Sequence, residues 1–421
     1  MALGNVMVGQ SGGPTAVINS SLAGVYKTAI DCGCKKVYGM VNGIEGLSQN
    51  KYIDMSSFIK SNLEIELLKR TPASFLGTCR YRLPDVNVES DVYEKIFIIL
   101  KKLDIKYFFY IGGNDSMDTI MKLSDYAKIV GSDIRFVGIP KTIDNDLAET
   151  DHTPGYGSAS KYIATAIKEI ICDANTYITD SITIIEIMGR NAGWLTAASS
   201  LSKCEDCMGP DLIYLPERVF DYGDFLKKVL EIKKDKKIVT IAVSEGVKTS
   251  DGRYVCEKNR NNNITDSFGH KLLGGTAMYL SDFLIENTGI KTRGIVFSTL
   301  QRCASHMVSR VDITEAYMAG ADAVKAALDG QNGKMIIFKR ISNSPYLIST
   351  SLCDIGIIAN KEKCVPDNLI RNDGVGVTKE FEDYARPLII GELYPFIVDG
   401  VPRHLHLGDT SINTSIKTNE I

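Results

Sequence analysis

Two short polar segments, each directly after a run of strand-forming residues, constrain this chain more than any other feature. Residues 111–116 (Ile-Gly-Gly-Asn-Asp-Ser) and 140–146 (Pro-Lys-Thr-Ile-Asp-Asn-Asp) follow strand-like residues 107–110 and 136–139. Open α/β sheets bind ligands beyond the carboxyl ends of their strands, so both segments are predicted to face a ligand. The first offers backbone N–H groups, and the second offers Lys141 among carboxylates. This combination predicts phosphate chemistry with a general base beside a phosphate clamp.

Length and composition predict a globular protein of two domains, or three, because 421 residues exceed one ordinary hydrophobic core. Hydrophobic residues make up 44% and charged residues 24%, and no apolar run reaches the roughly 18 residues of a membrane span. The 48 basic and 51 acidic side chains give a net charge of −3 without blocks of one sign. We therefore expect no nucleic-acid or membrane partner, and the absence of a secretory signal predicts a cytoplasmic protein.

Cysteine and histidine spacing gives no metal site. The ten cysteines are scattered, and only Cys32 with Cys34 and Cys204 with Cys207 lie close together. Without a second such pair or a nearby pair of histidines, reduced and mostly buried thiols are predicted rather than zinc. The five histidines are expected to pack in the core or lie on the surface.

Strand and helix patterns alternate along the chain from the first residues. Strands are predicted at 5–9, 36–41, 107–111, 135–139, 182–188, 211–215, 237–243, 292–299 and 335–340, and helices at 14–30, 91–103, near 117–130, 156–172, 193–201, 222–232 and 313–328. This alternation predicts parallel, doubly wound sheets. A change of sheet without a flexible linker is expected near residues 151–156, with the active site between the two halves. After residue 340 the pattern weakens.

The junction of the first strand and first helix carries Gly9-Gln10-Ser11-Gly12-Gly13-Pro14. This sequence is neither a P-loop nor a dinucleotide fingerprint. Its two adjacent glycines and a helix N-terminus can still bind phosphate, and the alternative is a tight turn without a ligand. Gly155-Tyr156-Gly157 follows a proline rather than a strand, so we do not interpret it as a nucleotide loop.

Polar residues also follow two strands of the second half, as Met188-Gly189-Arg190 and Ser244-Glu245-Gly246. Residues such as Thr142 and Asp144 often cap a helix or close a turn, and that alternative needs no ligand. Several polar strand ends facing one crevice favour phosphoryl transfer instead.

Three arginines are candidate phosphate ligands. Arg80 follows a Gly-Thr turn, Arg302 is predicted to end an apolar strand, and Arg293 lies on that strand. Lone arginines more often lie on solvated faces, which is the alternative for each.

Together these motifs resemble the 6-phosphofructokinase family, in order from the Gly12-Gly13 loop to Arg302 and over more than two thirds of the chain. The matching motifs are Ser-Gly-Gly, Phe-Leu-Gly-Thr-Cys-Arg, Gly-Gly-Asn-Asp-Ser, Thr-Ile-Asp-Asn-Asp, Met-Gly-Arg and Leu-Gln-Arg. The resemblance implies phosphoryl transfer to the 1-hydroxyl of fructose 6-phosphate with Mg²⁺, in a homodimer or homotetramer. It also implies an α/β fold of two Rossmann-like three-layer domains with mainly parallel sheets. The donor phosphate is expected in residues 1–154 with about 301–380, and the sugar phosphate in 155–300 with about 381–421.

The resemblance also implies roles for matching residues. Asp144 takes the proton from the sugar hydroxyl, Thr142 contacts the reacting phosphoryl group, and Arg190 stabilises transition-state charge. The implied substrate-binding residues are Gly13 and Arg80 for the donor, Met188, Gly189 and Glu245 for the sugar, Arg293 and Arg302 for the 6-phosphate, and in addition Ser116 and Thr299.

Two positions indicate the phosphoryl donor. Family members that use ATP carry glycine where this chain has Asp115 and Lys141, whereas pyrophosphate-dependent members carry Asp and Lys. A carboxylate at Asp115 repels the α-phosphate of ATP, and Lys141 suits a compact, highly charged donor. The chain therefore resembles the pyrophosphate-dependent branch. The alternatives are an ATP-dependent 6-phosphofructokinase and a non-catalytic regulatory subunit, the second disfavoured because such a subunit is expected to lose its base.

Three positions depart from the family pattern. Asn114 stands where many members have an aspartate near Mg²⁺, which leaves the metal mainly to water and phosphate oxygens, with help from Asp144 or Asp146. Ser181 and Thr299 replace an arginine and a histidine that touch the sugar phosphate, and Lys271 is a candidate substitute. The sequence leaves open whether sedoheptulose 7-phosphate is also an acceptor.

Overall fold

The computed structural model describes residues 3–86, 90–259 and 273–408, so the candidate Lys271 lies outside the described residues. The helices are α1 Ile18–Asp31, α2 Gly43–Ser48, α3 Asn62–Arg70, α4 Asp91–Lys102, α5 Asn114–Ile129, α6 Tyr156–Ala174, α7 Trp194–Ala197, α8 Tyr222–Lys233, α9 Thr276–Thr288, α10 Leu300–Cys303, α11 Arg310–Leu328, α12 Ile355–Ile358 and α13 Lys379–Ala385. The strands are β1 Asn5–Gln10, β2 Val37–Met40, β3 Tyr52–Asp54, β4 Ile105–Gly112, β5 Arg135–Pro140, β6 Ser181–Ile187, β7 Leu212–Tyr214, β8 Ile238–Ser244, β9 Lys291–Val296, β10 Lys334–Asn343, β11 Tyr346–Asp354, β12 Ile397–Val398 and β13 Val401–Pro402.

The larger sheet has seven strands in the order β11-β10-β5-β4-β1-β2-β3. Its central pairs are parallel, and only the two edge pairs, β2 with β3 and β10 with β11, are antiparallel. Alternate residues of β1 point to opposite faces, so Val6 and Val8 join one core with α1 and α11, while Met7 joins another with α4 and α5. β1 pairs with β2 on one side and with β4 on the other, so the chain first runs to one side of β1 and later returns to the opposite side. At such a reversal of strand order a crevice opens at the carboxyl ends of the strands.

The smaller sheet has four parallel strands in the order β7-β8-β6-β9. Ile185 of β6 packs in a core that contains residues of α6 and α13, and Ile184 packs with residues of α8 and α9 on the opposite face. Helices therefore cover both faces of each sheet. The predicted fold class, two three-layer α/β units with mainly parallel sheets, is confirmed.

Several predicted boundaries are wrong in ways that affect the site. The first helix begins at Ile18 rather than at residue 14, and the helix expected near residue 117 begins at Asn114. The strand predicted to reach residue 299 ends at Val296, because Ser298 adopts a positive φ of 46° and turns the chain. Arg302 therefore lies on the short helix α10 and does not end a strand.

The prediction of mostly buried thiols is also wrong, because five of the ten free cysteines are exposed. They are Cys32, Cys172, Cys204, Cys303 and Cys364. No helix among the described residues is both long and apolar enough to span a bilayer.

Candidate active site

Loops that follow β1, β4, β5, β6 and β8 open into one cavity of about 630 Å³ between the two sheets. Most of the predicted site residues line it. They are Gly13, Arg80, Asn114, Asp115, Ser116, Lys141, Thr142, Asp144, Met188, Arg190, Glu245 and Arg302. The carboxyl ends of neighbouring parallel strands lie at the same edge of a sheet, which explains why sequence positions far apart converge here.

Three predicted residues do not line this cavity. Gly189 lies beside it, and its backbone N–H points to Glu245 Oε1 at 3.4 Å. Arg293 lies on β9 and lines a separate cavity of about 30 Å³ together with Lys291. Thr299 lies in the turn that precedes α10. Arg302 therefore lines the large cavity without Arg293 and Thr299, although its backbone N–H donates to the carbonyl oxygen of Thr299 at 3.2 Å.

The loop after β1 brings bare backbone close to two cations. Gly12 adopts a positive φ of 74°, and a Cβ atom there would lie 3.3 Å from the Nζ atom of Lys141. A Cβ atom on Gly13 would lie 3.5 Å from a guanidinium nitrogen of Arg302. Thr78 holds the loop by donating a 2.7 Å hydrogen bond to the carbonyl oxygen of Gly12. The two glycines therefore let the loop backbone approach both cations directly, with no side chain between them.

Lys141 is the most deeply buried cation of the cavity, with only 2% of its surface exposed. Its Nζ atom donates a 2.6 Å hydrogen bond to the carbonyl oxygen of Gly13. Burial lowers the pKa of Lys141 to about 8, although Asp144 and Asp146 oppose this shift. An anion bound in the cavity would add negative charge near Lys141 and favour the protonated form of this lysine.

The candidate base Asp144 is held by its own loop. Its backbone N–H donates to Thr142 Oγ1 at 3.1 Å, and Asn145 adopts a positive φ of 54° that turns the chain after it. Asn145 Oδ1 accepts from the backbone N–H of Thr153 at 3.1 Å, and its amide donates to the hydroxyl of Tyr384 on α13 at 2.9 Å. Thr142 and Asn145 thus close a turn, as the interpretation without a ligand predicts for this segment. The same turn fixes Asp144 at the cavity.

Three acidic groups have raised pKa values in the cavity. Burial raises the pKa of Asp144, opposed mainly by the charge of Lys141. The pKa of Asp146 rises to about 7 through burial and then through the charges of Asp144 and Glu362. Burial likewise raises the pKa of Glu245 to about 7. Raised carboxylate pKa values in a cleft are typical of acid–base sites.

Contacts with α10 and with the loop after β8 fix the position of the loop after β6, which carries Arg190. The backbone N–H of Met188 donates to Gln301 Oε1 at 3.2 Å, which ties this loop to α10. A Cβ atom on Gly246 would lie only 2.0 Å from the carbonyl oxygen of Arg190, so a side chain there would displace the loop. Glycine at this position therefore permits the close approach of the loops after β6 and β8.

The residues present fit a hydrated Mg²⁺ ion rather than a closed metal cage. Asn114 Oδ1 is buried and accepts no hydrogen bond from the described residues. Asp144 and Asp146 line the same cavity. Among the described residues, however, no group of three His, Cys, Asp or Glu side chains is arranged to hold a metal. Mg²⁺ commonly keeps several waters and binds one or two carboxylates together with substrate phosphates, which this oxygen set allows.

Several residues that line the cavity were not predicted from the sequence. Arg82 forms an ion pair of 3.4 Å with Asp115, and Asn191 directly follows Arg190. Their proximity to predicted residues was the only signal in the sequence. Asn360 and Glu362 also line the cavity, from a segment whose sequence pattern predicted no site.

The chain is similar in sequence to several named proteins over nearly its whole length. The family model described as phosphofructokinase matches residues 5–327. The pyrophosphate–fructose 6-phosphate 1-phosphotransferase of Halomonas elongata is 40% identical over 407 residues, with 96% of each chain covered. That of Xanthomonas campestris pv. campestris is 38% identical, with 98% of each covered.

The fold is similar to that of solved structures over the same extent. The pyrophosphate-dependent phosphofructokinase from Nitrosospira multiformis is 36% identical with a TM-score of 0.86, and 96% of each chain is covered. The enzyme of the same name from Marinobacter aquaeolei is 35% identical with a TM-score of 0.85, again with 96% covered. Motifs, fold and whole-length identity agree, and the chain belongs to the phosphofructokinase family.

Proposed function

We propose that this chain is a pyrophosphate-dependent 6-phosphofructokinase. It transfers a phosphoryl group reversibly between pyrophosphate and the 1-hydroxyl of fructose 6-phosphate, and the products are fructose 1,6-bisphosphate and phosphate. The names of the full-length relatives support this choice of donor and acceptor.

The observation that carries the proposal is the placement of Asp115 and Lys141 in the same cavity as Asp144. Asp115 lies in the first turn of α5, and Lys141 bonds to the glycine loop after β1. The buried ammonium of Lys141 favours a short, highly charged anionic donor in this cavity, whereas a third phosphate would meet the negative charge of Asp115. The pair therefore favours pyrophosphate over ATP.

Asp144 is the proposed general base. Its raised pKa makes it a stronger base than an exposed aspartate, and Lys141 still favours the ionised form. Thr142 Oγ1 lies 3.4 Å from Asp144 Oδ2, close enough to orient the carboxylate and the reacting phosphoryl group together. Asp144 accepts the proton of the 1-hydroxyl as that oxygen attacks phosphorus, and in reverse it returns the proton.

Cations surround the proposed path of the phosphoryl group. The donor is held by the cations Arg80 and Lys141 and by the backbone at Gly13. Ser116, in the first turn of α5, lines the same cavity. Arg190 stabilises the charge that spreads over the transferring oxygens, where a preorganised guanidinium contributes most.

The sugar is proposed to bind between the ends of β6 and β8. Glu245 accepts sugar hydroxyls beside Met188 and Gly189, and Arg302 holds the 6-phosphate. Arg293 and Thr299 remain proposed ligands of that phosphate, although neither lines the large cavity of the same chain. Asn114, with Asp144 or Asp146, would hold Mg²⁺, which would supply positive charge to the phosphate oxygens.

The proposal also covers the roles of the two domains, the cellular compartment and the oligomeric state. Residues 1–154 with about 301–380 bind the donor, and 155–300 with about 381–421 bind the sugar. The enzyme works in the cytoplasm as a homodimer or homotetramer.

The experiment compares pyrophosphate with ATP as donors, and fructose 6-phosphate with sedoheptulose 7-phosphate as acceptors. Phosphate release and sugar bisphosphate formation are both measured with Mg²⁺ present. We expect bisphosphate from pyrophosphate, ATP activity lower by at least about 10² because roughly 4 kcal/mol of repulsion opposes its α-phosphate, and pyrophosphate formation from fructose 1,6-bisphosphate and phosphate. A preference for ATP would contradict the donor assignment, and sugar-phosphate binding without turnover would indicate the regulatory subunit instead.

A further inference from the structure

Residues 360–365, here called the strap, cross the cavity between the two sheets. They lie beyond residues 5–327, which match the family model, and two of their side chains, Asn360 and Glu362, line the cavity. None of the six residues belongs to a strand or helix. The strap is therefore positioned by individual contacts and not by a helix or sheet hydrogen-bond pattern of its own.

On one side the strap is bonded to the loop that carries the candidate base. The backbone N–H of Lys363 donates to the carbonyl oxygen of Asp146 at 2.7 Å, and Glu362 pairs with Leu147 in an isolated antiparallel bridge. The Nζ atom of Lys363 donates to the carbonyl oxygens of Thr150 and Asp151, both at 2.9 Å. The backbone at Glu362 is thus fixed to residues 146–151.

On the other side the strap is bonded to the loop that carries Arg190. Both carboxylate oxygens of Glu362 lie 3.1 Å from the amide nitrogen of Asn191. Trp194 Nε1 donates to the carbonyl oxygen of Lys363 at 2.7 Å. Glu217 Oε1 accepts from the backbone N–H groups of Gly193 and Val365, at 2.8 Å and 2.9 Å, which joins the two segments further.

We propose that Glu362 is a positioning residue for phosphoryl transfer, which sets the spacing between Asp144 and Arg190 by holding Asn191 against the loop of the base. This inference rests on the proposed function, which assigns the roles of those two residues. Glu362 is exposed to the cleft, so its bond to Asn191 contributes little to folding stability. The inferred effect is geometric, since a displacement of about 1 Å between reacting groups costs up to about 10²-fold in rate. Glu362→Gln separates it from the effect of the Glu362 charge on the pKa of Asp146, because glutamine keeps the contact and removes the charge.

The test compares kcat and KM for wild type, Glu362→Ala, Glu362→Gln, Asn191→Ala and the double variant of Glu362→Ala with Asn191→Ala. Glutamine keeps an oxygen that accepts from Asn191, whereas alanine removes it. We expect Glu362→Ala to lower kcat at least about fivefold with both KM values within about twofold. Glu362→Gln should recover kcat to within about threefold of wild type. The double variant should lose about as much as either single variant, since both changes break one contact.

Lys361→Gln is the matched control, because Lys361 is an exposed neighbour of Glu362 and the substitution also removes one charge from the strap. The kcat of Lys361→Gln should equal that of wild type. Thermal melting of each variant checks folding, and Asn191→Ala gives the same measurement if Glu362→Ala does not fold. A smaller loss in Glu362→Ala, a glutamine variant as slow as the alanine variant, or losses that add in the double variant would overturn the inference. Wild-type activity with pyrophosphate is a separate readout, and its absence would contradict the proposed function instead.

Discussion

The Nζ atom of Lys141 lies 2.6 Å from the carbonyl oxygen of Gly13 and donates a hydrogen bond to it. This contact joins the loop after β5 to the glycine loop after β1, on either side of β4. It also places an ammonium group at the backbone that is proposed to hold the donor. Since the group is buried, its charge depends on pH in the range where the enzyme would be assayed.

Pyrophosphate use should therefore fall in mildly alkaline solution. Burial lowers the pKa of Lys141 to about 8. The lysine carries its charge below that pKa and loses it above, so kcat/KM for pyrophosphate should fall about tenfold per pH unit above pH 8. The measurement is a pH profile of kcat/KM, which reports the free enzyme.

Lys141→Gln is the control for this profile. The pKa of Lys363 is also lowered to about 8 by burial, and pyrophosphate itself titrates in alkaline solution. A break near pH 8 that persists in the glutamine variant would assign the titration to one of those groups and contradict the prediction.

Replacing Asp144 should remove proton transfer and leave the sugar bound. Asp144→Asn keeps the size of the side chain and loses the base, so we expect kcat to fall by at least about 10². The dissociation constant for fructose 6-phosphate, measured by calorimetry, should change less than about threefold. Asp146→Asn is the comparison, because it removes the neighbouring carboxylate of the same loop. If Asp144→Asn retains near-normal kcat, Asp144 is not the base.

The positions of the strand ends could be predicted from sequence because short, nearly continuous apolar runs mark strands buried on both faces, and parallel order brings their carboxyl ends to one edge. Lys141 and Arg190 were found in this way. Arg302 also reaches the cavity, but from a short helix, because the turn at Ser298 depends on one backbone torsion that local composition does not reveal.

The supports of the site could not be predicted in the same way. Tyr384 bonds to Asn145 across 239 residues, and Glu362 bonds to Asn191 across 171 residues. Such contacts depend on how α13 and the strap pack against the loops of the two sheets. Neither residue follows a strand or belongs to a motif, so periodicity and spacing carry no information about it.

A buried ionic cluster around His152 should make folding stability depend on pH. His152 is 1% exposed, and its ring nitrogens lie 2.7 Å from Asp151 Oδ1 and from Glu315 Oε2. Burial opposes the charged ring, but the two carboxylates outweigh it and raise the pKa of His152 from 6.5 to about 9. The stabilisation is complete below pH 6.5 and is lost as pH rises through 9, about 3 kcal/mol in all.

Denaturant unfolding of wild type and His152→Gln between pH 6 and pH 10 measures this contribution. The difference in unfolding free energy should be largest at pH 6 and shrink towards pH 10, because the variant lacks the titrating ring. His306→Gln, at an exposed histidine, should follow the wild-type curve. A difference that does not vary with pH would mean that His152 stays neutral in the folded protein.

Donor choice should respond to Asp115 and Lys141 together. Asp115 lies at the start of α5 and is paired with Arg82 at 3.4 Å, an exposed ion pair that contributes at most about 1 kcal/mol to stability. Asp115→Gly should therefore fold, and it removes the charge that repels an α-phosphate, worth roughly 4 kcal/mol at 4 Å. We expect measurable ATP-dependent turnover in this variant.

The second substitution tests the compensating charge. Lys141→Gly should weaken pyrophosphate use, and the double variant should lose more pyrophosphate activity than ATP activity. The quantity to compare is the ratio of kcat/KM for the two donors in wild type and in each variant. Asp91→Gly, which removes an exposed carboxylate from the first turn of α4, controls for the loss of a helix-initial charge and should leave the ratio unchanged. If the ratio is indifferent to both Asp115 and Lys141, pyrophosphate must be selected by other residues, and the family membership would stand without this account of its donor.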